Sequence, residues 1–73
     1  MLAQLQPGDI VFFGTNGARS RPAEVYHMGI YLGSGWYIHS SRNGVALTSL
    51  TSGYYRNNFA WGRRPLAEAG LLP

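Results

Sequence analysis

The stretch Tyr26-His-Met-Gly-Ile-Tyr-Leu-Gly-Ser-Gly-Trp-Tyr-Ile-His-Ser40 decides how the whole chain reads. Runs of β-branched and aromatic residues flank Gly33-Ser34-Gly35, which is the pattern of a β-hairpin. Side chains on a strand alternate between its two faces. With Gly33, Ser34 and Gly35 as the loop, Leu32 opposes Trp36, and Met28, Ile30, Leu32, Trp36 and Ile38 make one unbroken apolar face. That face is expected to be the core side. The opposite face carries His27, Gly29, Tyr31, Tyr37 and His39. His39 then stands opposite Gly29 and diagonal to His27, at the ~7–8 Å typical of diagonal strand neighbours. A loop one residue shorter would split the apolar set and send the histidines to opposite faces. Register follows the hydrophobic pattern, so the odd-length loop is expected.

Working outward, Pro7-Gly8-Asp9 is a turn signal, and Ile10-Val11-Phe12-Phe13 is short, β-branched and aromatic, as buried strands are. The polar, glycine-rich residues 14–22 read as a surface loop. Arg42-Asn43-Gly44 is a second hairpin signal, followed by the short strand Val45-Ala46-Leu47-Thr48. Tyr55 and Phe59 stand four apart, a spacing that fits one helical turn. A last strand is expected over 60–66, with Pro65 at a sheet edge, and the tail has room for a weak helical turn. The chain therefore reads as one mainly β unit over 1–73, an antiparallel sheet of four or five strands near 9–13, 26–32, 36–40, 45–48 and 60–66. Asp9 is expected to bond its own turn, Glu24 to be solvated, and Phe59 and Trp61 to be core residues.

With 73 residues the chain is one small domain at most, and a unit of this size buries only about 60% of its unfolded surface. It has no cysteine, so neither disulfides nor thiolate metal sites are available, and its two histidines make a poor metal cage. No metal or cofactor is expected. Charged residues are 12% of the chain against 45% hydrophobic, which argues against disorder. The net charge of +3 comes from six scattered arginines, of which only Arg63 and Arg64 adjoin. A nucleic-acid surface is usually a denser stripe, so none is expected. No stretch approaches the ~20 apolar residues of a membrane span. The opening Met-Leu-Ala-Gln-Leu-Gln-Pro-Gly-Asp has neither the charged nor the long apolar region of a signal peptide. Met1 stands just before a turn, so the chain reads as a fragment.

Two imidazoles on one polar strand face can form a proton relay, one acting as base while the other fixes its tautomer and orientation. A plainer alternative is that each histidine satisfies a local hydrogen bond or meets solvent.

Leu5-Gln-Pro-Gly-Asp-Ile-Val-Phe-Phe13, His27-Met-Gly-Ile-Tyr-Leu-Gly33 and Tyr37-Ile-His-Ser-Ser41 resemble, in order, the second half of the NlpC-like peptidoglycan endopeptidases. Gly44-Val45, the segment from Tyr55 to Phe59, and Arg63-Arg64 fit the same pattern, so the resemblance runs from about Leu5 to Arg64. It implies a papain-like half-barrel lacking the N-terminal helical half, which would carry an Asp-Cys-Ser-Gly segment and pack on one face of the sheet. By position, His27 matches the family's general base and His39 the polar residue that orients it. Gly29, Tyr31 and Tyr37 share that face and are candidates for lining a substrate groove. Family members typically cleave stem peptides, often between D-glutamate and a diamino acid, and are secreted, envelope-bound or carried by phage. No residue here replaces the cysteine, so the chain is expected to be inactive alone. The tyrosine and histidine face would then have lost its cover, and self-association or binding of a separate N-terminal fragment is expected. A non-enzymatic small β-barrel that binds cell-wall peptide or protein is the competing reading.

Overall fold

The computed structural model describes residues 4–51 and 53–71. The first residues of the opening segment and the last of the tail, on which the leader and tail readings partly rested, lie outside the described residues. Five strands form one antiparallel sheet: β1 Ile10–Gly14, β2 Val25–Gly33, β3 Trp36–Ser41, β4 Gly44–Ser49 and β5 Phe59–Arg63. Their spatial order is β4-β3-β2-β1-β5, an open sheet with β4 and β5 at its edges. Among the described residues two short α-helices accompany it, α1 Gly53–Asn58 and α2 Pro65–Glu68.

The central hairpin keeps the expected pairs Ile30 with Ile38 and Tyr31 with Tyr37. Its turn is tighter than expected. Gly33 pairs with Trp36, and Ser34 (φ 53°) and Gly35 (φ 84°) both take left-handed backbone, as a two-residue hairpin turn requires. The register shifts between Tyr31 and Gly33, leaving Leu32 as an inserted residue. One extra residue on one strand is a β-bulge, and it restores the parity that the shorter loop would have broken. Leu32 and Trp36 therefore both end on the exposed side, as the alternation required.

The expected core side is corrected by the structure. Met28, Ile30, Leu32 and Trp36 are 48, 47, 48 and 45% exposed, whereas Val11, Phe13, Tyr31 and Tyr37 on the histidine side are buried. The reason is topological. Strand β4 lies at one edge and β5 at the other, so the chain between them crosses the sheet. It crosses on the histidine side, where Leu50 joins the buried cluster and Tyr55 and Phe59 pack against it. Phe13 sits at the centre, with ring centroids 5.1 Å from Tyr37, 5.2 Å from Tyr55 and 6.4 Å from Phe59. Trp61 instead meets Phe12 on the other side, at 5.7 Å.

The ends of the sheet are tied by charge. Asp9 accepts the amide of Gln6 at 2.9 Å, as its turn position suggested. Its larger partner lies 55 residues away: Arg64 donates Nε to Oδ1 at 2.8 Å and Nη2 to Oδ2 at 2.9 Å. Asp9 is only 3% exposed, so this two-pronged bond satisfies a buried carboxylate and holds its pKa below the usual value. The last strand stops at Arg63 rather than continuing to residue 66, because Pro65 opens α2, a position where its missing N–H is no loss. Glu68 closes that corner by accepting Arg64 N and the Arg63 guanidinium. Glu24 is not simply solvated either. It accepts Arg21 N at 2.7 Å and Asn16 Nδ2 at 2.6 Å, tying together a loop built of two 3-10 turns, Gly17–Arg19 and Pro22–Glu24.

Gly29 lies where the sheet leaves no room. A Cβ there would meet Tyr37 Cδ2 at 2.7 Å, Ile38 O at 2.9 Å and His39 Cβ at 3.2 Å. Gly29→Ala is expected to destabilise the fold by about 1–3 kcal/mol, the usual cost of overpacking, read as a lower denaturant midpoint. Arg64→Met is expected to lower that midpoint more than Arg63→Met, because it strands the buried Asp9 carboxylate whereas Arg63 pairs with Glu68 at the surface. The Asp9–Arg64 contribution is present above the ordinary carboxylate range and is lost as pH falls through the lowered pKa of Asp9. Equal midpoints for the two variants would contradict this assignment.

Candidate functional site

His27 lies on β2 and His39 on β3, both on the side covered by the β4-to-β5 connection. Their side chains meet directly: His27 Nε2 and His39 Nδ1 are 2.7 Å apart, and the rings stand almost perpendicular at 83°. The other nitrogen of His39, Nε2, is 2.8 Å from Thr48 Oγ1 on β4. Three strands thus contribute to one chain of hydrogen bonds, His27–His39–Thr48. Thr48 was not anticipated from sequence. The signal was present, since a two-residue turn at Arg42-Asn43 pairs Tyr37 with Thr48 and places the threonine diagonal to His39.

Aromatic rings hold both imidazoles. His27 has Phe13 at 5.9 Å and Tyr55 at 5.6 Å, while His39 has Tyr37 at 4.7 Å and Tyr55 at 5.5 Å. His39 is 6% exposed, and His27 remains partly accessible. Burial, and then the positive charge of a protonated His27, lowers the pKa of His39 below the ordinary 6.5. His39 is therefore neutral at pH 7 and able to present one nitrogen as an acceptor. The pairing engages Nε2 of His27, so Nδ1 is the atom at which His27 would take up a proton from a third group.

The other candidates are buried beside this pair. Tyr37 is fully enclosed, its phenol pushed up in pKa by burial, and no hydroxyl partner is found among the described residues. Tyr31 is 8% exposed, and its hydroxyl accepts the Gly35 amide at 2.8 Å, which pins the hairpin turn. Gly29 faces the Tyr37 ring rather than open space. In this chain Tyr37 packs on His39, Gly29 lies against both, and Tyr31 holds the hairpin turn. The same packing overturns the expectation that the histidine side is the uncovered one. Among the described residues no group of three His, Cys, Asp or Glu stands together as a metal site. No helix among them is long and apolar enough to cross a membrane.

Comparison with known proteins identifies the family. The model of the NlpC/P60 family matches residues 1–64. Murein DD-endopeptidase MepH of Escherichia coli K12 is 36% identical over 71 residues, which is 94% of this chain and 25% of that protein. The probable peptidoglycan endopeptidase LytE of Bacillus subtilis 168 is 36% identical over 63 residues, covering 86% of this chain and 17% of that one. Among solved structures, an NlpC/P60 family protein from Bacillus cereus ATCC 10987 superimposes with a TM-score of 0.71 at 34% identity, over 82% of this chain and 19% of that chain. The chain thus spans a quarter or less of the length of these relatives. The first two carry names of peptidoglycan endopeptidases, and the match extends over both histidines, the sheet and the closing Arg63-Arg64 pair. The chain belongs to the NlpC/P60 family.

Proposed function

We propose that the chain is the base-bearing part of a cysteine endopeptidase that cleaves peptidoglycan stem peptides, with His27 as general base and His39 as its orienting partner. The observation that carries this reading is the 2.7 Å approach of His27 Nε2 to His39 Nδ1. In that arrangement His27 donates Nε2–H to His39 and keeps a lone pair on Nδ1. A thiol brought to Nδ1 gives up its proton there, and the imidazolium is stabilised through Nε2–H by a neutral His39. The thiolate attacks the scissile carbonyl, the leaving amine takes the proton from Nδ1, and water then hydrolyses the thioester with His27 again as base.

The chain has no cysteine, so the nucleophile in this reading comes from a segment outside these 73 residues. The sheet offers a place for such a segment. Met28, Ile30, Leu32, Trp36, Val45 and Leu47 leave a broad apolar surface on the side opposite the histidines, and patches of that kind are normally covered by a partner. A helical N-terminal half packed there would bury it, and its cysteine-bearing end would pass round the sheet to the other face, where His27, near the start of β2, remains partly accessible. This is the proposed partner in place of the uncovered tyrosine face. The related names do not agree on the bond cleaved: MepH is a DD-endopeptidase, while CwlT of Bacillus subtilis 168, 40% identical over 57 residues, is a muramidase and DL-endopeptidase. The proposal therefore stops at the stem peptide as substrate class and the cell envelope, or a phage particle acting on it, as location. The sheet is open and its histidines are bonded to each other, one buried and one partly accessible, which favours this reading over a binding barrel.

Incubated with purified peptidoglycan, the 73-residue chain is expected to release no peptide, whereas the protein joined to its cysteine-bearing segment releases stem peptides and loses that activity by at least about a hundredfold on His27→Ala. Hydrolysis by the chain alone that disappears on His27→Ala would sink the proposal. A second expectation follows from the proton state of His39. Its lowered pKa means that stability is fully present above the ordinary histidine value of 6.5 and is lost as pH falls through the folded-state pKa. Thermal melts between pH 7 and 5 should therefore flatten in His39→Asn. An unchanged slope would show that His39 is not held neutral by its burial.

A further inference from the structure

We infer that Thr48 is a positioning residue for the histidine pair, holding the His39 ring so that Nδ1 faces His27. The inference rests on the reading of His27 as a general base. Both nitrogens of His39 are in use, Nδ1 toward His27 at 2.7 Å and Nε2 toward Thr48 Oγ1 at 2.8 Å. Turning the ring over by half a rotation would put carbon atoms where both nitrogens now stand. Each bond therefore opposes the flip, and only the Thr48 bond does so independently of His27.

Thr48 also sets where the proton sits. When His27 carries a proton on each nitrogen, its Nε2–H has to donate, so His39 Nδ1 has to be bare. The single proton of neutral His39 is then on Nε2, in a ring that is 6% exposed, and it needs an acceptor. The Thr48 hydroxyl oxygen is that acceptor. The opposite orientation, with Thr48 donating to Nε2, would place the His39 proton on Nδ1, use the Nε2 lone pair of His27, and leave His27 no base at Nδ1. A hydroxyl serves the working arrangement because it accepts as readily as it donates.

The fold places this hydroxyl closely. The register of β3 and β4 pairs Tyr37 with Thr48 and His39 with Ala46, so Thr48 shares the histidine side and lies one diagonal step from His39. Its β-branched side chain has restricted χ1, which limits where the oxygen can move. The Tyr37 ring, 4.7 Å from His39, supports the imidazole by packing, but its hydroxyl has no partner among the described residues and does not substitute.

The test is imidazole nitrogen NMR on the protein at pH 7.5, with and without Thr48→Val, Thr48→Ala, Thr48→Ser and His27→Ala. The protein itself and Thr48→Ser should show His39 as one tautomer, protonated at Nε2 and bare at Nδ1. In Thr48→Val that signature should be lost, the two His39 nitrogen shifts moving toward each other, and His27 should lose its single-tautomer signature with it. Thr48→Ala serves the same purpose if valine disturbs the strand. A purely structural threonine would leave the tautomers unchanged in every folded variant, and that result would overturn the inference. The His27→Ala spectrum separates the two ideas. If it leaves His39 Nδ1 unmoved, the histidine pair itself is wrong; if it moves Nδ1 while Thr48→Val does not, only the role of Thr48 fails.

Discussion

Strands β4 and β5 lie at opposite edges of the sheet, so the chain between them has to cross one of its faces, and nearly everything else follows from the side it takes. Leu50, Tyr55 and Phe59 come down on Val11, Phe13, Tyr31 and Tyr37, and these residues form the buried cluster. In a unit this small a single layer of cover is all the chain can supply, so one face becomes core and the other stays exposed. Cover on the histidine side removes His39 from water and sets His27 against Phe13 and Tyr55.

Burial explains why the pair has the properties that a relay needs. An imidazole in solvent titrates near neutrality and changes tautomer freely. His39, enclosed and bonded at both nitrogens, stays neutral and holds one orientation. His27 keeps enough exposure to meet another group while its Nε2 is committed inward. The aromatic packing fills the space beside Gly29 so closely that a methyl group there would collide with Tyr37. Tyr37, buried against His39, supports the pair by packing.

The Asp9–Arg64 bond links the turn before the first strand to the residue after the last, joining positions 55 apart in sequence beside the β1–β5 pairing. It closes this end of the sheet with a charge pair whose carboxylate is buried. The opposite face, with Met28, Ile30, Leu32 and Trp36 nearly half exposed, has no such closure among the described residues. Its composition is that of a core, and its accessibility is that of a surface.

Alternation along Tyr26 to Ser40 was enough to place both histidines on one side, because strand parity is a local property and a bulge at Leu32 preserved it when the turn proved shorter than expected. Strand positions, the helical turn near Tyr55 and the turn role of Asp9 were legible for the same reason: each depends on neighbours within a few residues. Which side is core was not legible. The apolar pattern marks a face as greasy, but only the path of the β4-to-β5 connection decides which face this chain covers by itself. Thr48 and Arg64 escaped for a related reason, since their partners are fixed by strand register and by closure between the two ends of the chain. The sequence by itself determined that the two imidazoles share a face. The tertiary structure decided that they are in contact, with His39 buried and bonded to a threonine on a third strand, because burial and long-range pairing depend on where the whole chain goes.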